Sequence, residues 1–184
     1  AYANPLWFRD AVDIMKTLLN RAIMTTQISL TLALYDGKSE GGIQTLGALR
    51  KTLTESLADL LAEHADFSIY ESYQKLSEHG PVNPEFETAL KNNAENGYCR
   101  SLTYEQVKHV YVAEFELYWD YINKQCDGEA VSEETLEQGA RALSQAFIKR
   151  PLADMAPQSP RTEASFRKIL GKLISLADDV KSLG

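Results

Sequence analysis

The chain has 184 residues, 24% of them charged and 44% hydrophobic, with a net charge of -7. These proportions fit one globular domain with a real core. The acidic balance excludes nucleic acid as the main partner, because phosphate binding needs a basic surface. It also works against an anionic membrane surface, and no apolar run reaches the roughly 18 residues of a spanning helix.

In chain order, the pattern is helical throughout. Asn4 suits an N-cap and Pro5 a first helical position. Phe8, Ala11, Met15, Leu18 and Ala22 follow at steps of three and four, and Val12, Leu19 and Ile23 widen the stripe. This predicts a first helix to about Tyr35, with a weak zone at Thr25, Thr26 and Gln27. Asp36-Gly37-Lys38 and Gly41-Gly42 read as a break. A second helix is expected over roughly Ile43 to Glu63, on a stripe of Leu46, Leu49, Leu53, Leu57 and Leu60 or Leu61, and a short third from about Phe67 to Glu78.

Gly80-Pro81-Val82-Asn83-Pro84 reads as a turn, with Asn83 capping a fourth helix to about Asn96. Gly97 is placed to end that helix. Thr103 and Gln106 have capping-box spacing. They open a fifth helix to about Gln125, with Val107, Tyr111, Phe115, Tyr118 and Ile122 on its core stripe. Asp127-Gly128 breaks it, a sixth helix runs from about Ser132 to Arg150, and Pro151, Pro157 and Pro160 mark a loop. The last helix spans about Thr162 to Leu183. No strand and no internal repeat is expected.

The charge is uneven. Between Val110 and Ala140 stand eight acids and one base, Lys124, which equals the whole net charge. A solvated face is the plain reading, and a docking surface for a basic partner or a neighbouring domain is the sharper one. Cys99 and Cys126 fit no zinc spacing. They read as two partly buried thiols, with a single disulfide as the alternative. The chain opens on Ala1, with no leader pattern, which leaves its compartment unread.

Chemistry-bearing groups are sparse. Glu105 and His109 stand four apart on one helical face, a spacing that can hold a metal, though a surface pair is the simpler reading. Asp10 and Asp13 share a helical face near a helix start, where carboxylates favour the dipole. His64 and His79 fall at helix ends. No phosphate loop, nucleophile elbow or zinc-protease motif is present. Tyr98 and Arg100 before the fifth helix, with Glu114, Glu116 and Trp119 on it, form the candidate sugar-contacting or docking surface. Core packing with a partly exposed rim is the plainer reading of the aromatics.

Asn4-Pro5, Phe8, Asp10, Val12-Asp13, Leu18 and Asn20 resemble the segment that opens the C-terminal helical domain of the alpha-N-acetylglucosaminidases, family 89 glycoside hydrolases. Leu60 to Phe67 resembles that family's leucine-rich helix and following link. Asn93-Ala94-Glu95-Asn96 resembles a helix end, Val110-Tyr111, Phe115 and Leu117 an aromatic helix, and Ala146-Phe147-Ile148 a late element. The family's Trp-Gly loop is replaced here by Tyr98-Cys99-Arg100-Ser101-Leu102, so no substrate contact and no catalytic residue is carried over.

The expectation is an all-α bundle of six to seven helices, residues 1–184 forming one domain. The resemblance implies a C-terminal accessory domain that buttresses a catalytic barrel and walls its pocket. The barrel of the same protein would be its partner, the carbohydrate would be met indirectly, and no cofactor or metal is called for. A secreted, periplasmic or lysosome-like setting is what the family implies. A self-standing helical interaction module is the alternative, and a metal-carboxylate enzyme the third reading.

Overall fold

A computed structural model describes residues 2–37, 40–95 and 103–181. Among them are seven helices and no strand, the all-α architecture expected. The contacts gather into two compact units. The first holds Ala1–Glu63 with Pro160–Gly184, and the second His64–Ser159.

In the first unit, α1 spans Pro5–Tyr35. Asn4 caps it, its Oδ1 accepting from the N–H groups of Leu6 and Trp7 at 3.2 Å each, so two of the orphan donors at the helix start are satisfied. Replacing Asn4 with Ala should cost about 1 kcal/mol in urea melts. Phe8, Val12, Leu19, Leu30 and Ala33 form the buried stripe. The weak zone is no break. Thr26 is buried, and its hydroxyl bonds back to the Ala22 carbonyl at 2.8 Å.

The helix ends at Asp36, where Gly37 takes a left-handed φ of 63°. Helix α2 is Glu40–Ala62, so Gly41 and Gly42 lie in its first turn and not in the expected break. Ile43, Leu49, Leu53, Leu57, Leu60 and Leu61 are buried on it.

The last helix of the chain, α7, is Glu163–Lys181. It is capped by Thr162, whose Oγ1 accepts from Ser165 N–H at 3.1 Å. Phe166 packs edge-on against Phe8 with ring centroids 4.7 Å apart, and Tyr2 lies 4.7 Å from Phe8. Arg161 takes a φ of 49° and donates from Nε to the Ala62 carbonyl at 2.9 Å. Its cation thus sits at the C-terminal end of α2, where the dipole favours it.

The second unit begins with a 3-10 turn, Ala65–Phe67, followed by α3, Tyr70–Ser77. His64 caps that turn through Nδ1, which accepts from Asp66 N–H at 3.1 Å. Helix α4 is Pro84–Glu95, and Asn83 Oδ1 accepts from Glu85 N–H at 2.9 Å.

Helix α5 starts as Thr103–Gln106, passes through a π turn at Val107–Tyr111 and continues as Val112–Cys126. The π turn corrects the expected stripe. A wider turn adds a residue per repeat, so Val110, not Tyr111, joins Phe115 on the buried side. Tyr111 is 47% exposed. Gly128, with φ 77°, follows the end of α5.

Helix α6 is Glu133–Lys149. Arg150 is extended, as the residue before Pro151 should be. The expected loop then makes a 3-10 turn, Leu152–Met155. Leu152 and Met155 join Ile69, Val110 and Phe147 in a core cluster, with Tyr73 packed against it.

Candidate functional site

A buried polar arrangement lies inside the second unit. Ser68 is 2% exposed and Glu105 is fully buried. The Ser68 hydroxyl accepts from Tyr70 N–H at 3.2 Å and donates to Glu105 Oε1 at 2.5 Å. Glu105 Oε2 is buried with no hydrogen-bond partner. Burial pushes this carboxyl up to about 7, against the hydrogen bond from Ser68 and the backbone N–H groups of Ile69 and Tyr70, which favour the anion. The Glu105–His109 pair is therefore not the surface pair expected. Glu105 points inward from the turn that precedes the π segment, and His109 lies within that segment.

His109, farther along α5, has partners of its own. Arg150 Nη1 stands 3.1 Å from its Nδ1. A guanidinium has no acceptor, so Nδ1 accepts and the proton sits on Nε2, which is buried without a partner. Burial, then the charges of Arg150 and Lys108, lower His109 to about 4. Tyr104 meets the imidazole edge-on at 6.2 Å. Arg150 also donates from Nη2 to the Asp154 carbonyl at 2.7 Å. The Ser68 proton is engaged by Glu105, and His109 is neutral at neutral pH. The group positions α3, α5 and the segment after α6, and it presents no exposed nucleophile.

A second buried group adjoins it. Lys91 of α4 is 1% exposed. Its Nζ donates to the carbonyls of Ile148, at 3.1 Å, and Arg150. It also pairs with Glu87 at 3.7 Å, and Glu87 Oε2 accepts from Leu152 N–H at 3.0 Å. Desolvation lowers the Lys91 ammonium, and Glu87 opposes that. Tyr73 is raised first by burial and then by Glu87. Sequence reading missed Lys91. Its only signal was a Glu87-Lys91 spacing of four, which normally marks an exposed pair.

Tyr98 and Arg100 lie outside the described residues. The other surface candidates do not form one patch. Glu116 is exposed, and Trp119, three residues on, is half-buried and stacked on Phe115 at 6.3 Å and 12°. Glu114 is half-buried and lies across the helix from Glu116, as a two-residue step requires. Seven of the eight acids between Val110 and Ala140 are exposed, all but Glu114, which makes this a solvated face.

Asp10 and Asp13 are exposed and pair with Arg9 at 3.5 Å and Lys16 at 2.5 Å. Cys126 is a free thiol, exposed and not partly buried as expected. Cys99 lies outside the described residues. Among the described residues, no three His, Cys, Asp or Glu side chains are grouped to hold a metal ion, and no helix is long and apolar enough to cross a membrane.

The first unit carries an apolar groove of about 360 Å³ between α1 and α7, lined by Met15, Leu18, Leu53, Leu173 and Ile174. Leu18 is 59% and Ile174 66% exposed. The chain matches no family model, no curated protein and no solved structure. Its surfaces and buried polar groups therefore carry the functional argument on their own.

Proposed function

We propose that this chain is a non-catalytic helical domain of an alpha-N-acetylglucosaminidase-like glycoside hydrolase, which buttresses the catalytic barrel and helps wall its pocket. The observation that supports this reading is the apolar groove between α1 and α7. A self-standing module covers its apolar surface, whereas a domain built to lie against another leaves a face open. In such hydrolases a pair of carboxylates flanks the glycosidic bond, and on this reading the barrel supplies both. The second reading, a self-standing interaction module, is favoured by the exposed acids of α5 and α6.

Two measurements test the proposal. The isolated chain should release no product from an aryl alpha-N-acetylglucosaminide, and clear turnover would overturn the reading. The coding sequence ahead of Ala1 should encode a barrel. A start codon directly before Ala1 would favour the interaction module.

A further inference from the structure

In chain order, the second unit interrupts the first. The chain leaves the first unit after Glu63 and returns to it at Pro160. The two ends of that break are tied together within the first unit. Arg161 Nε donates to the Ala62 carbonyl at 2.9 Å, and Ser165 Oγ donates to Glu63 Oε2 at 2.8 Å. Glu63 is 2% exposed, and its carboxylate favours the charged form of Arg161. The Arg161 carbonyl accepts from the Tyr2 hydroxyl at 2.7 Å.

An arginine Nε stands about 5 Å from its own Cα, so the Cα atoms of Ala62 and Arg161 lie within about 10 Å of each other. About three extended residues span that distance. A turn is therefore long enough to join α2 to α7 directly. Arg161 also keeps a left-handed φ of 49°, which the Cβ of any residue but glycine resists. Such a residue persists only where its surroundings fix it. Here the contacts that fix it are the ones that join the two ends.

Each unit is also closed in itself. In the first, α2 packs on both α1 and α7, and Lys172 donates to Asp59 at 3.2 Å. In the second, α3 packs on the 3-10 turn at Leu152–Met155, and α4 and α5 pack on α6. Ser68 reaches Glu105, Lys91 reaches Ile148 and Leu152 reaches Glu87, all between His64 and Ser159. Both units have the size of an independent domain. We propose that His64–Ser159 is an insertion carried by a three-helix frame, that Arg161 is the clasp closing the frame, and that frame and insertion are separate cooperative bodies. Such an insertion opens, or takes up a partner, without unravelling the helices that carry the apolar groove.

Thermal unfolding of the whole chain tests this, read by one tryptophan at a time. Trp119→Phe leaves Trp7 on α1 to report the frame, and Trp7→Phe leaves Trp119 on α5 to report the insertion. Lys91→Met should lower the Trp119 midpoint by at least about 10 °C and leave the Trp7 midpoint within about 1 °C. An insertion already unfolded in Lys91→Met, with the Trp7 transition unmoved, supports the proposal equally. Arg161→Ala removes a charged donor and should lower the Trp7 midpoint by about 5–15 °C, while the Trp119 midpoint stays in place. A Trp7 midpoint that Arg161→Ala leaves unmoved would overturn the clasp. Both midpoints moving together in either variant would overturn the separation of frame and insertion.

Discussion

Relative to the parent, Glu105→Gln should make the stability of the second unit climb by about 3 kcal/mol between pH 4.5 and 7. His109→Gln should do the reverse, losing about 3 kcal/mol relative to the parent as pH rises from 4 to 6.5. Folding raises Glu105 from its usual 4.5 to about 7. Between those values the folded chain keeps a proton that the unfolded chain has lost. Its contribution is whole below pH 4.5 and is lost as pH rises through 7. Folding lowers His109 from 6.5 to about 4. Here the unfolded chain holds the extra proton, so the contribution is whole above pH 6.5 and is lost as pH falls through 4. The two slopes oppose each other over almost the same window.

Gln keeps an acceptor for the Ser68 hydroxyl while removing the ionisation, so the packing at Glu105 survives the change. Trp7 and Trp119 are the only tryptophans. A Trp7→Phe background therefore leaves Trp119 as a fluorescent reporter for urea melts of the second unit. The informative quantity is each variant's slope minus that of the parent, since the other acids contribute equally to both. Equal slopes in parent and Glu105→Gln would refute the raised Glu105 carboxyl.

The parts of this chain set by local rules were legible in the sequence. Asn4 before Pro5, Asn83 before Pro84 and Gly128 after Asp127 each mark a boundary through a cap or a left-handed residue, and each boundary falls where it was read. What escaped depends on contacts across sequence distance. Gly41 and Gly42 look like a break, yet α2 runs through them because its long stripe of leucines packs against α1. Tyr111 sits at a four-residue step from both Val107 and Phe115. Only the π turn reveals that Val110 takes its place in the core. Glu105 and Lys91 carry charge, which in sequence reads as surface. Their burial follows from Ser68 and from the carbonyls of Ile148 and Arg150, 37 and 57 to 59 residues away along the chain. The groove was harder still. Hydrophobic periodicity reports how apolar a face is and not whether the chain covers it.

Lys91→Met should destabilise the second unit by about 3–5 kcal/mol, the cost of removing one partner from a buried ion pair. Met matches the length of Lys but brings no donor. The carbonyls of Ile148 and Arg150 lie at the end of α6, where no helical N–H can reach them, and both would lose the cation. Glu87, whose side chain is 13% exposed, would keep only neutral partners such as the N–H of Leu152. Adding Glu87→Gln removes the uncompensated carboxylate, so the double variant should be more stable than Lys91→Met alone. A loss under about 1 kcal/mol would show that the Lys91 contacts are incidental, on the scale of exposed pairs. The effect should also reach the neighbouring group. Lys91 holds the Arg150 carbonyl while the Arg150 guanidinium bonds His109 and helps keep it neutral. Loosening that backbone weakens both the charge and the enclosure acting on the imidazole. In Lys91→Met the His109 ring signals, followed by NMR, should therefore titrate at higher pH than in the parent. A packing defect confined to α4 would leave them in place.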